Sequence, residues 1–111
     1  MLKAVDLSVA ATVQNTETAL VNRRDSGIAG VSAEDGKPRK IKGIHVRANY
    51  TGYAVGRIGG EMVWSADLVC LYTNTQPTPC DIEVPAGETF KLYVVNTAST
   101  AVANATVLYE E

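Results

Sequence analysis

Hydrophobic and polar residues alternate along most of this chain, which is the pattern of β-strands that bury one face. Val5, Leu7 and Val9, for example, alternate with Asp6 and Ser8. No segment keeps a helical period over three turns. The alternation predicts about seven or eight short strands, at residues 5–13, 18–22, 41–51, 52–60, 62–72, 81–84, 90–95 and 101–109. We therefore expect an all-β fold: one antiparallel, jelly-roll-like β-sandwich domain spanning residues 1–111.

The segment at residues 62–72 differs from the others because it is apolar on both faces. Met62, Trp64 and Leu68 would lie on one face, and Val63 and Val69 on the other. A strand of this kind is either central and covered, or lies at a subunit interface.

Glycine and proline mark the connections between the predicted strands. Residues 23–40 are interpreted as a long loop or a pair of short edge strands. Pro77 and Pro79 place a loop at residues 73–79, and Pro85 and Gly87 predict a turn at residues 84–87. The glycines of residues 56–60 have neither the dinucleotide nor the Walker spacing, so they indicate a bulge or turn within a strand.

Length and charge restrict the partners that we expect. The chain has 111 residues and a net charge of −2, so nothing global attracts nucleic acid or an anionic membrane. No run approaches the roughly 20 apolar residues of a membrane span. Asp6 interrupts the region where a signal peptide would be apolar. We expect a protein made in the cytoplasm without processing.

One basic cluster was considered as a binding site for phosphate or an acidic protein surface. It consists of Lys37, Arg39, Lys40 and Lys42, with Arg23 and Arg24 as possible neighbours. Because Glu34 and Asp35 balance it and no aromatic residues are interleaved, we interpret it as a solvated loop.

The residues that could carry chemistry do not form a recognisable set. His45 is the single histidine, and its place on a polar strand face beside Arg47 predicts a surface or rim position. Cys70 and Cys80 leave two readings open, a disulfide or two free thiols. Two cysteines and one histidine fall short of zinc's usual four ligands. We predict no catalytic residue, no cofactor and no metal.

The aromatic residues also leave two readings open. Tyr50, Tyr53, Trp64 and Tyr72 could line a sugar-binding face, or they could pack in the core or at an interface. Because three of them share strand faces with aliphatic residues, core or interface packing is favoured.

The C-terminal third carries a resemblance. Val84-Pro85-Ala86-Gly87 precedes a strand with Phe90 and Leu92, and an Ala/Thr-rich strand ends the chain. This arrangement resembles the closing strands of small jelly-roll structural proteins of viruses and phages, such as capsid decoration and minor capsid proteins. The resemblance implies a non-enzymatic homo-oligomer, for example a trimer, that docks on a major capsid protein of the virion. The alternatives are a carbohydrate- or ligand-binding sandwich module and a cupin-like enzyme, for which one histidine is too few within a chain.

Overall fold

A computed structural model describes residues 2–9, 14–22, 30–33, 36–49, 51–70, 77–97 and 102–110, apart from the side chains of Asn22, Val69 and Cys70. Seven strands have seven to ten residues, and four have two residues each. In chain order the strands are β1 (Leu2–Val9), β2 (Thr18–Ala19), β3 (Val21–Asn22), β4 (Val31–Ser32), β5 (Arg39–Ala48), β6 (Gly52–Ile58), β7 (Glu61–Asp67), β8 (Val69–Cys70), β9 (Thr78–Val84), β10 (Thr89–Asn96) and β11 (Ala103–Glu110).

The strands form two sheets that pack face to face. Sheet A has the order β3-β1-β11-β5, after which β9 and β8 pair with successive parts of β5. Sheet B has the order β2-β10-β6-β7, and β4 also pairs with β10. With β3, β4 and β8 set aside, the orders β1-β11-β5-β9 and β2-β10-β6-β7 are those of a jelly roll. The predicted antiparallel sandwich is confirmed.

The core lies between the two sheets and follows the predicted alternation. On β5, Ile44 and Val46 face the core, and on β10 Phe90, Leu92 and Val94 do so. These side chains are buried because each strand places every second residue on the inner face. Val5, Leu7 and Val9 of β1 also pack against the core as expected.

Two one-residue corners carry the chain from sheet B to sheet A. Leu20 separates β2 from β3, and its N–H donates to the Leu92 carbonyl at 3.0 Å. Leu68 separates β7 from β8, and its N–H donates to the Gly52 carbonyl at 3.0 Å. The prediction of one strand over residues 18–22 and of one over residues 62–72 is therefore wrong, because the alternating pattern continues through both crossings.

Two smaller predictions also need correction. Strand β9 begins at Thr78 and contains Pro79, within the segment predicted to be a loop. Proline is tolerated there because β9 is an edge strand with an irregular register beside Gly43. The predicted turn at residues 84–87 is displaced by one residue, because the Glu88 N–H donates to the Pro85 carbonyl and Gly87 has a φ of +88°.

The predicted long loop at residues 23–40 lies only partly within the described residues. Its described residues include the short strand β4 and the first residues of β5. Within the described residues, no helix is long and apolar enough to cross a membrane.

Candidate assembly surface

Among the described strands, β7 pairs with β6 alone and so forms an outer edge of sheet B. All of its side chains are exposed except that of Trp64, which is half-buried. Met62 is 57 % exposed and Val63 is 40 % exposed. Of the two placements considered for this apolar segment, the structure excludes the central one.

A β-bulge divides the side chains of β7 between the two faces of the sheet. Gly56 is in register with Trp64 and Arg57 with Met62, so Val63 has no partner on β6. Trp64 consequently points toward the core, while Met62 lies on the outer face with Arg57. The prediction that Met62 and Trp64 share one face is wrong, because the extra residue shifts the alternation by one.

One end of the outer face of sheet B is apolar, whereas Arg57 and Lys91 make the end beside the β6–β7 hairpin charged. Tyr53 and Val95 are in register, as are Val55 and Tyr93. Val55 is buried although it does not belong to the core between the sheets. Tyr53 is 46 % exposed and lies opposite Asp67 of β7. Exposed apolar surface on this side of the sheet is therefore divided between Tyr53 and the β7 edge at Met62 and Val63.

The other described sheet edges offer less for a partner strand. Strands β2, β3 and β4 have only two residues each. Strand β9 has Pro79 near one end and an irregular register with β5. Short strands and proline are usual means of blocking strand addition at an edge. Among the described long strands, β7 combines an open edge with exposed apolar side chains.

The outer face of sheet A is polar and internally hydrogen-bonded. The Thr106 hydroxyl donates to the Asp6 carboxylate at 3.1 Å, and the Arg47 guanidinium donates to the Asn104 side-chain oxygen at 3.0 Å. This face contrasts with the apolar end of the outer face of sheet B, where Tyr53, Val55, Tyr93 and Val95 lie. We therefore place the candidate assembly surface on sheet B, at Tyr53, Met62, Val63 and Trp64.

His45 lies on the outer face of sheet A, as its position on the polar side of β5 predicts. It is in register with Thr106, but only 7 % of it is exposed, so the expected surface or rim position is wrong. Burial lowers the pKa of the imidazole, and the nearby positive charge of Arg47 lowers it further.

Two lysines of the basic cluster share one carboxylate of β9. Lys42 and Lys40 lie 3.2 and 3.9 Å from the Asp81 carboxylate. Arg39 is buried, and its guanidinium donates to the Lys37 carbonyl at 2.7 Å. Arg23, Arg24, Glu34 and Asp35 lie outside the described residues. The Lys37–Lys42 segment thus belongs to a strand and its lead-in, with counter-charges on β9.

A polar depression of about 250 Å³ opens where the β6–β7 hairpin approaches the turn before β10. Its lining includes Arg57, Glu88, Lys91 and Tyr93. The charged groups of Glu88 and Lys91 form no ion pair or hydrogen bond with any described residue. The depression is therefore a second place where a small ligand could bind.

Arg57 forms one wall of the depression, and its guanidinium is held by hydrogen bonds to Glu17 and Gly60. Its guanidinium makes two hydrogen bonds of 2.8 and 2.9 Å to the Glu17 carboxylate and one to the Gly60 carbonyl. The two hydrogen bonds lower the pKa of Glu17 and raise that of Arg57. Arg57 lies on β6 and Glu17 directly precedes β2. Because β10 lies between β6 and β2, the Arg57–Glu17 pair crosses β10 and holds the Arg57 side chain in place.

The remaining candidate residues are only partly described. Tyr50 and Tyr72 lie outside the described residues, as does the side chain of Cys70. Cys80 is a free thiol in this structure, which favours the reading of two free thiols over a disulfide. The Cys80 thiol is half-buried and donates to the Ile41 carbonyl at 3.8 Å. Among the described residues, no three His, Cys, Asp or Glu side chains are grouped to hold a metal ion.

Comparison of the chain with protein families, with curated proteins and with solved structures gives no match. Function is therefore argued from the surface of the molecule.

Proposed function

We propose that this protein is a non-enzymatic structural protein that assembles as a homo-oligomer, with the capsid decoration or minor capsid proteins of viruses as its nearest functional class. The observation that carries the proposal is the β7 edge, where Met62 and Val63 are exposed on an open strand of seven residues. An open, apolar sheet edge is an aggregation hazard unless a partner covers it.

The viral part of the proposal rests on weaker support. The jelly-roll topology is common among viral capsid domains, but lectins and cupins share it. Topology alone does not assign a function. The resemblance of the closing strands to viral structural proteins adds support to the viral assignment. Neighbouring genes for capsid, portal and terminase proteins would support this assignment, and a neighbourhood of metabolic enzymes would contradict it.

Size-exclusion chromatography with light scattering at micromolar concentration tests self-assembly. We expect a mass that is a multiple of 11.8 kDa. The substitution Val63→Asp on the exposed edge should lower that mass, whereas Leu2→Asp is a matched control at another exposed apolar residue. A monomer at these concentrations, with no particle to dock on, contradicts the proposal.

A second candidate function is a carbohydrate- or ligand-binding module. Two observations favour it: Tyr53 presents an exposed aromatic ring, and the depression holds the unpaired charges of Glu88 and Lys91. Carboxylate and ammonium groups beside aromatic rings are suited to orienting a polyhydroxylated ligand. Tyr53 also belongs to the candidate assembly surface, whereas Glu88 and Lys91 do not, so substitutions in the depression test this second function separately from self-assembly.

A glycan array tests this second function. Binding that is lost in Tyr53→Ala would place the ligand on the aromatic surface, and binding that is lost in Lys91→Met would place it in the depression. An array without signal for the folded wild-type protein contradicts the second function and leaves the assembly proposal unaffected.

A further inference from the structure

The backbone of β7 has a defined set of groups that no described strand uses. The Leu68 N–H donates to the Gly52 carbonyl, and hydrogen-bonded pairs alternate along an antiparallel ladder. In this register Ala66 and Trp64 therefore direct their backbone groups toward β6. Ser65 and Asp67 direct their N–H and C=O groups away from β6, toward an additional strand.

We propose that a second copy of this chain binds there, through antiparallel pairing of β7 with β7 about a two-fold axis at Ser65. This inference rests on the proposed function and specifies the contact between the subunits of the homo-oligomer. A two-fold contact uses the same surface on both copies and closes after two chains. The two B sheets would become one continuous sheet across the dimer.

Complementary side-chain sizes support the axis at Ser65. In this register Trp64 lies opposite Ala66 of the second copy, and the same pair occurs again on the other side of the axis. Trp64 is large and half-buried on the core side of the sheet, and Ala66 is small and exposed on that side. Each indole would thus cover the small residue of the facing strand. Val63 would lie against Asp67 of the second copy.

The charges on β7 argue against the neighbouring register. An axis at Trp64 would place Glu61 opposite Asp67 of the second copy at both ends of the pair. Like charges directly opposite each other destabilise a strand pair. An axis at Ala66 avoids that repulsion but leaves both Met62 and Val63 without a facing residue, whereas the axis at Ser65 leaves only Met62 without one, since β7 ends before Leu68. The axis at Ser65 avoids the repulsion and includes Val63.

Cysteine cross-linking tests the register, in a protein that also carries Cys70→Ser and Cys80→Ser. In a hydrogen-bonded antiparallel pair the two Cα atoms are about 5.5 Å apart, within the range that a disulfide spans. Ser65→Cys should therefore give a disulfide-linked dimer on mild oxidation. Asp67→Cys alone should not, and a mixture of Val63→Cys and Asp67→Cys proteins should cross-link to each other. Ser65 and Asp67 are exposed, so these variants should fold.

A charge at Ala66 provides an independent test by light scattering. Ala66→Lys should convert the dimer into a monomer without lowering the unfolding temperature of the single chain. Ala19→Lys is the matched control, because Ala19 is an exposed alanine in β2, the strand at the opposite edge of sheet B from β7. The control should remain dimeric.

The outcomes separate this inference from the proposed function. A monomeric wild-type protein overturns both. A trimer or larger oligomer, or a dimer that cross-links through Trp64→Cys and not Ser65→Cys, supports self-assembly and overturns the Ser65 axis.

Discussion

The ring of Phe90 occupies the space that a side chain at Gly56 would need. A Cβ placed on Gly56 would lie 2.6 Å from the Phe90 Cζ atom and 3.2 Å from the Trp64 Cβ atom. Phe90 is fully buried, so its ring cannot move into solvent. The absence of a side chain at Gly56 is thus a packing requirement of sheet B, and it also brings Trp64 of the β7 edge close to the core.

We expect Gly56→Ala to destabilise the protein by about 1–3 kcal/mol, the usual cost of overpacking a core. Denaturant unfolding would measure the change. Phe90→Leu removes the ring that the new methyl group would meet, so the double variant should lose less stability than the sum of the two single losses. If the stability loss of the double variant equals the sum of the two single losses, the methyl group of Gly56→Ala does not clash with the Phe90 ring.

The two glycines of the β6–β7 hairpin should respond to substitution differently from Gly56. Gly59 and Gly60 have φ values of +59° and +83°, which is the backbone of a type I′ turn. Because asparagine accepts this conformation, Gly59→Asn should change the unfolding free energy by less than about 0.5 kcal/mol. Gly60→Val should cost about 1–3 kcal/mol, because a β-branched residue is strained there. If both variants are equally stable, the turn has a different geometry.

Protonation of His45 should destabilise the fold. Its pKa is lowered in the folded state, so the unfolded chain binds the proton more tightly. Stability should therefore fall as the pH drops below about 6.5, and the loss should level off below the folded-state pKa. One such group changes the unfolding free energy by at most about 1.4 kcal/mol per pH unit.

Urea unfolding between pH 5 and 8 measures this dependence, with His45→Gln as the comparison. The variant should show a flatter profile over that range, where the Glu17 carboxylate stays ionised in both states. Because the chain has a single histidine, its NMR titration gives the folded-state pKa without assignment. A midpoint at or above 6.5 would contradict the burial of His45.

The Cys80 thiol should react slowly in the native protein. Burial raises its pKa, the Asp81 carboxylate raises it further, and Lys42 opposes both effects to a smaller extent. Since the thiolate is the reactive form, labelling of Cys80 in a Cys70→Ser variant at pH 8 should be several-fold slower when folded than in urea. Equal rates would show that the thiol is accessible in the folded protein.

Sequence periodicity predicted the parts of this fold that depend on local pattern. The alternation on β1 placed Val5, Leu7 and Val9 on one buried face, because period two alone decides which face a strand residue takes. The same pattern concealed the corners at Leu20 and Leu68, since the alternation passes through a change of sheet without interruption.

The candidate surface was harder to predict for a different reason. Apolar residues on both faces look the same in a central strand and in an exposed edge strand, and only the long-range order of the strands separates the two. The bulge at Val63 likewise depends on pairing with β6, so the outward position of Met62 could not be read from β7 alone. The burial of His45 depends in the same way on its neighbours in space.

The corner at Leu68 has a mechanical consequence for any contact made by β7. A strand held only by its neighbour can be peeled from a sheet one hydrogen bond at a time. Here Leu68 donates to Gly52 in sheet B, and the next residues pair with Arg47 and Ala48 in sheet A. Tension applied to β7 along the chain would pass through this corner into the opposite sheet. Both layers would then resist the tension together.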